Sequence, residues 1–273
     1  MSGMAERMLS DGTPVRWVPS PNHDPREGVA GGPDMVVIHY TDMLSADGAV
    51  ARLCDPVARV SAHYLITAGG DVVQMVEEDR RAWHAGISAW FGVRDNNARS
   101  IGIELDSPGH RPDAPEFPGV QIDALLVLLG DIRSRWAVPP WNVVAHSDIA
   151  PFRKIDPGER FPWGRLAAAG HVLSVAPPPV QPAPGDVLPA VRVALAECGY
   201  VFDPDTDPVP VIDAFHRRHL PDRVGAPADA RTLAAALALA EAVRNAMAAT
   251  RREAVDKLAS NDAAPPVAAG KTG

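Results

Sequence analysis

The sequence predicts an α/β fold, a mixed central β-sheet flanked by helices, followed by a small all-α C-terminal domain of three helices. Three observations predict it. Short β-branched runs alternate with segments of helical period over roughly the first 170 residues. Six prolines crowd into residues 175–189, a stretch that favours extended chain and lacks donors for helix or sheet. Beyond it, every segment reads as helix.

In order along the chain, residues 35–40 (MVVIHY) are an apolar run ending in a polar pair, as a buried central strand does. Residues 47–54 are a short helix candidate. SAHYLIT at 61–67, the Gly69-Gly70 turn and 72–76 read as a hairpin. SIGIEL at 100–105 is a further strand, with Glu104 between Ile103 and Leu105. Over 121–136, Ile122, Leu125, Leu126, Leu129, Ile132 and Trp136 recur at helical spacing and predict a helix packed on the sheet. Residues 143–146 make a last short strand. Then come a helix over 187–199 with Gly199 as its stop, a second over 209–219, and a long Ala- and Leu-rich third over 228–259. The predicted organisation is an α/β domain over 1–174, a Pro-rich linker over 175–189, a helical domain over 190–259 and a disordered tail over 260–273.

Composition narrows the function classes. The 273 residues carry 26 Lys and Arg against 34 Asp and Glu, a formal net charge of −8. That balance argues against a nucleic-acid partner, whose affinity rests on basic side chains. A hydrophobic fraction of 46% and a charged fraction of 22% are those of an ordinary globular chain, while 28 prolines are roughly twice usual usage. Cys54 and Cys198 lie far apart and support neither a disulfide framework nor a thiolate cluster. No apolar run reaches the roughly 20 residues that span a bilayer, and the N-terminus lacks a signal-peptide core. The expectation is a cytoplasmic protein without a membrane span, with a periplasmic location as the alternative if a leader has been removed. None of these features encodes an oligomeric state.

His39 ends one apolar strand, His146 ends another, and Asp156 follows within HSDIAPFRKIDPGERFPW. Side chains at strand ends gather in the crevice where open sheets collect ligands, provided those ends share an edge. Two imidazoles and a carboxylate are a set that suits zinc with its fourth position open. The HExxH signature is absent, which excludes the helical zinc-protease arrangement. Glu104, flanked by apolar residues, is costly to bury without a partner. It is either salt-bridged or turned outward, or it is a general base beside a metal and its water. Lys154, two residues before Asp156, faces the same side of an extended segment, where an ammonium would stabilise an oxyanion. A solvated surface position is the commoner fate of a lysine.

Taken together, VVIHYT with His39, SAHYLI, AWHAG, SIGIEL with Glu104, and AHSDIAPFRKIDPGERFPW resemble the bacterial zinc-dependent N-acetylmuramoyl-L-alanine amidases. This is the amidase-2 superfamily, which includes the peptidoglycan recognition proteins, and the AmiD/AmpD-like amidases are the subgroup most similar. The resemblance covers residues 15–169 in order. The linker and helices beyond it resemble a C-terminal peptidoglycan-binding-like domain, carried by AFHRRH at 214–219.

The resemblance implies one Zn2+ per chain on His39, His146 and Asp156, with Glu104 as general base and Lys154 as electrostatic stabiliser. It implies hydrolysis of the amide between N-acetylmuramic acid, including its 1,6-anhydro form, and L-alanine of the peptidoglycan stem peptide. The setting would be muropeptide recycling or cell-wall turnover, with muropeptides or murein as partners. Where parts of the superfamily use an assisting Tyr near SAHYLI, this sequence has Ala62, which leaves Glu104 as the base. His63, His84, Trp90, Arg94 and Asn97 are candidate substrate contacts. Trp90 would stack on a sugar and Arg94 would clamp a stem-peptide carboxylate. His63 and His84 either shape the groove or pack beneath the metal. Asp148 and Arg153 are expected to serve the loop's internal structure. The cluster His216, Arg217, Arg218 and His219 either touches glycan or is a solvated helix end. The alternative function on the same fold is a non-catalytic peptidoglycan-binding receptor, against which the retention of all three ligands speaks.

Overall fold

The computed structural model describes residues 7–175, 179 and 185–262. Its strands are β1 (Arg7–Met8), β2 (Pro14–Trp17), β3 (His23–Pro25), β4 (Met35–Tyr40), β5 (Tyr64–Ile66), β6 (Val72–Gln74), β7 (Arg80–Ala82), β8 (Ser100–Leu105) and β9 (Val143–Ala145). Its helices are α1 (Ala46–Cys54), α2 (Asn96–Arg99), α3 (Gly119–Arg135), α4 (His146–Ile149), α5 (Trp163–Ala168), α6 (Leu188–Glu197), α7 (Val209–His219) and α8 (Ala230–Asp262).

Seven strands form one sheet in the order β1-β2-β6-β5-β8-β4-β9, and β3 pairs with β7 apart from it. β4 runs parallel to β8 and β9, and β5 runs parallel to β8, while β5 and β6 form the antiparallel hairpin predicted around Gly69-Gly70. The sheet is therefore mixed, with its longest strands at the centre of the parallel part.

Alternation sorts these strands onto two faces. Val36 and Ile38 of β4 and Ile101, Ile103 and Leu105 of β8 pack against Ile122, Leu125, Leu129 and Ile132 of α3. Met35 and Val37, with Val144 of β9, look the other way and share a core with Leu195, Val211, Phe215 and Leu239 from the C-terminal helices. The packing thus runs across the proline-rich segment, and α6 to α8 cover part of the second face. Helix α1 seals the rest of that side against Leu65, Val73 and Met75. Gly199, at φ +111°, ends the turn after α6 where an added Cβ would lie 2.7 Å from the Trp90 ring. A close approach of this kind excludes any side chain.

Several boundaries differ from expectation for identifiable reasons. β9 stops at Ala145 because the Asp148 carboxylate accepts the Ala145 N–H at 2.9 Å and turns the chain into α4. Helix α2 was not signalled by periodicity; Asp95 caps it, its side chain accepting from the Ala98 N–H. Helix α8 continues through the first three residues expected in the tail. The rest of that tail, and most of the linker (176–178 and 180–184), lie outside the described residues. Among the described residues, no helix is long and apolar enough to cross a membrane.

Candidate active site

His39 and Glu104 stand opposite each other in the parallel β4–β8 register. By alternation, His39 shares its sheet face with Ser100, Gly102 and Glu104 of β8. The start of this face is apolar and covered; at the carboxyl ends of the strands it turns polar, where open sheets place their sites. His146 opens α4 directly after β9, and the Ser147 N–H donates to the Asp156 carbonyl at 3.0 Å, tying the second loop residue to the first. A groove of about 480 Å³ lies over these ends, lined among others by Thr41, Arg52, Trp83, Glu104, His110 and Lys154.

At its floor, His39 Nδ1 lies 2.9 Å from His146 Nδ1, and each lies 3.0 Å from Asp156 Oδ2. All three residues are buried. The protons on the two rings can be placed by following their outer nitrogens. The carbonyl of Asn96 only accepts, so the Ser100 hydroxyl donates to it at 2.5 Å. Ser100 Oγ then accepts from His84 Nε2 at 3.2 Å, which leaves His84 Nδ1 to accept from His39 Nε2 at 3.0 Å. His146 Nε2 faces the Ala85 carbonyl at 3.2 Å, nearer than the Arg153 guanidinium at 3.4 Å, which is already engaged with the Ala85 and Ile87 carbonyls, so the ring donates to Ala85. Both inner nitrogens therefore carry lone pairs, and they converge with a carboxylate oxygen at a triangle with edges near 3 Å. Three acceptors at that distance repel unless a cation sits among them. A zinc ion about 2.0–2.1 Å from each atom fits above such a triangle. The residues thus suit zinc, including the hydrogen-bonded outer nitrogens that metal-ligating histidines usually have.

Electrostatics agree with neutral His39 and His84. Burial, then His146, lowers the His39 pKa to about 4 despite Asp156. Burial, then His39 and His63, holds His84 well below the ordinary range. Burial alone would raise the Asp156 carboxyl, yet His146 and His39 hold it well below the usual carboxylate range. Glu104 goes the other way: burial and then Asp156 raise it well above its ordinary value, while Lys154 opposes them. Its Oε2 is buried with no hydrogen-bond partner among the described residues. An unsatisfied carboxylate oxygen beside a polar groove has the character of a proton acceptor awaiting its donor.

The structure brings His39, Glu104, His146, Lys154 and Asp156 together, with His84, around one groove. Three other expected contacts, Trp90, Arg94 and Asn97, do not line the groove, and His63 takes the second of its two readings, packed beneath the site. His63 is fully buried; its Nδ1 accepts from the Gly102 N–H at 2.9 Å, and its ring stacks edge-on behind His84 at 5.7 Å. Asn97 is also buried, and its Oδ1 accepts the backbone N–H of His84 and of Ala85, fixing the turn that carries both. Trp90 is only 3% exposed and packs against Phe91 and Tyr200, so no sugar reaches it. Arg94 lies away from the groove, paired with Asp203 at 2.5 Å. Two members of the cluster at 216–219 are not part of a solvated helix end. His216 is fully buried, and Arg218 turns inward to Asp148.

Sequence reasoning missed Ser100, whose signal was only its position two residues before Gly102 on the same strand face. It gave Arg153 no specific partner; that guanidinium donates to the carbonyls of Ala85 and Ile87, clamping the His84 turn to the ligand loop.

The N-acetylmuramoyl-L-alanine amidase family matches residues 30–159 of this chain. N-acetylmuramoyl-L-alanine amidase AmiD of Escherichia coli is 40% identical over 235 residues, covering 76% of this chain and 82% of that protein. The 1,6-anhydro-N-acetylmuramyl-L-alanine amidase AmpD of Enterobacter cloacae is 35% identical over 171 residues, 56% of this chain and 89% of that one. Among solved structures, E. coli AmiD in complex with anhydro-N-acetylmuramic acid-L-Ala-D-γ-Glu-L-Lys superposes with a TM-score of 0.70 at 37% identity, covering 81% of this chain and 97% of that one.

Proposed function

This chain belongs to the N-acetylmuramoyl-L-alanine amidase family and is itself such an amidase, and from that premise we propose which residues perform the hydrolysis and on which substrate. The observation that carries the assignment of the centre is the convergence of two imidazole lone pairs and the Asp156 carboxylate beside Glu104. The family uses zinc in general, and here His39, His146 and Asp156 would hold it. When bound, zinc would supply a Lewis acid for the scissile carbonyl and would lower the pKa of water to about 7.

Glu104 takes a proton from the attacking water and returns it to the departing L-alanine amine. Its raised pKa suits both halves of that exchange. Lys154 lines the same groove and acts on the Glu104 charge, which supports its ammonium as the group that would stabilise a developing oxyanion. His84, braced by His63 and Ser100, holds His39 in the tautomer that leaves Nδ1 free.

The substrate proposed is the 1,6-anhydro muropeptide, as in the solved AmiD complex, and the role is recycling of soluble wall fragments in the cytoplasm. Purified protein incubated with anhydro-muropeptides should release anhydro-N-acetylmuramic acid and the intact L-alanyl peptide, read by mass spectrometry. Turnover of soluble fragments should exceed release from sacculi. Cleavage within the stem peptide, or a Glu104→Gln variant with undiminished turnover, would sink the mechanism. Faster release from sacculi together with periplasmic fractionation would sink the recycling role.

A further inference from the structure

Behind the groove, one buried carboxylate joins the metal-ligand segment to the C-terminal helices. Asp148 sits in the four-residue helix α4, two positions after His146, and its side chain is fully buried. Oδ2 accepts the N–H of Ala145, the residue directly before His146, at 2.9 Å. The same oxygen accepts from Arg218 of α7 at 2.7 Å, and Oδ1 accepts from the Tyr200 hydroxyl at 2.8 Å. Arg218 also donates to the Val143 carbonyl at 3.0 Å, and its guanidinium lies over the Trp163 ring at 4.2 Å. One arginine from beyond the proline-rich segment thus grips β9 and α4 at once.

A single turn of helix cannot hold its own geometry, because most of its backbone groups have no intrahelical partner. Partners outside the turn must set the direction in which His146 leaves the sheet. A buried ion pair adds little net stability compared with an apolar pair of the same volume, so geometry is the better account of its presence. We propose that the C-terminal helices are a working part of the metal centre. Tyr200 and Arg218 are positioning residues that act through Asp148 to place His146 Nδ1. This rests on the zinc reading given above.

The test measures metal affinity rather than turnover. Full-length wild type, Tyr200→Phe and Arg218→Met are stripped of metal and titrated with Zn2+ against a chromophoric chelator. Each is held at a temperature where near-UV circular dichroism shows it folded. Arg244→Ala is the control, since Arg244 pairs with Glu197 on the exposed side of the same helices. Arg218→Met should bind zinc about 10–100-fold more weakly and Tyr200→Phe several-fold more weakly, and the cobalt d–d spectrum of both should change. Arg244→Ala should match wild type in affinity. Wild-type affinity and an unchanged cobalt spectrum in both Tyr200→Phe and Arg218→Met would overturn the proposal and leave the brace a packing feature. If Arg218→Met fails to fold, Arg218→Lys, which keeps the charge but not the forked reach, decides together with Tyr200→Phe. Wild-type protein that binds no zinc would instead overturn the reading of the site itself.

Discussion

Replacing Gly102 with alanine probes the histidine stack without removing any polar group. Gly102 lies in β8 with no left-handed φ, so the alanine backbone is unstrained and the perturbation is steric. The new Cβ would stand 2.5 Å from His84 Cγ, 2.6 Å from Cδ2 and 2.7 Å from Nδ1. Ordinary carbon contacts are about 3.5–4.0 Å, so the ring must retreat by about 1 Å. Cγ is attached next to the backbone, so rotation of the side chain's far end brings no relief. His39 and His63 flank the ring with centroids at 5.1 and 5.7 Å. The displaced atom Nδ1 is the acceptor that holds His39 at 3.0 Å. Overpacking of this kind costs about 1–3 kcal/mol. Disturbing a hydrogen-bond partner of a metal ligand costs about 10–100-fold in metal affinity. Thermal unfolding of the metal-free protein reads the first quantity and zinc titration against a chelator reads the second. A Gly102→Ala protein that melts with wild type and holds zinc as tightly would refute the account of how His39 is oriented.

Four further outcomes are expected. Glu104→Gln should lower kcat by about 10²–10⁴-fold while metal analysis still finds zinc bound. Lys154→Met removes the charge that lowers the Glu104 pKa, and a general base works deprotonated; the acid limb of the kcat/KM profile should therefore move to higher pH, and movement to lower pH would contradict the assignment. Stripping the metal should lower Tm, because three acceptors near 3 Å then face one another; readdition at 100 times Kd should restore about 2.7 kcal/mol, measurable by calorimetry. Trp90→Ala should cost about 3–5 kcal/mol of stability in denaturant titrations while leaving KM unchanged, since the ring is buried against Tyr200.

The parts of the site that lie on regular strands were legible from sequence because a strand's alternation is local. His39 and Glu104 each lie next to the last residue of a mostly apolar strand, and parallel register alone brings them to one face. His146 was placed one residue too deep in its strand, because the capture of the Ala145 N–H by Asp148 is a side-chain event that apolar patterning does not record. The places of Trp90, Arg94 and Asn97 are not legible in the sequence for a different reason. Whether an aromatic or an arginine faces a groove depends on what covers it, and the cover for Trp90 comes from Tyr200 and Gly199, more than a hundred residues away. Arg218 shows the same limit: four polar residues at a helix end look solvated until the helix is docked. The short edge strands β1, β3 and β7 escaped notice because two or three residues carry no period.

The strand order has a consequence for biosynthesis. β4 is made early, but its outer neighbour β9 and the loop beyond supply the rest of the triangle, 107 and 117 residues after His39. Closing a loop of that length is entropically unfavourable until the final contacts form. At about 5–20 residues per second, several seconds of translation separate the first ligand from the last. A nascent chain that has exposed only β4 and β8 therefore holds His39 and Glu104 without the remaining ligands. The capacity to hydrolyse the amide arises only when β9 takes its place at the sheet edge and the Asp156 loop has followed it out of the ribosome.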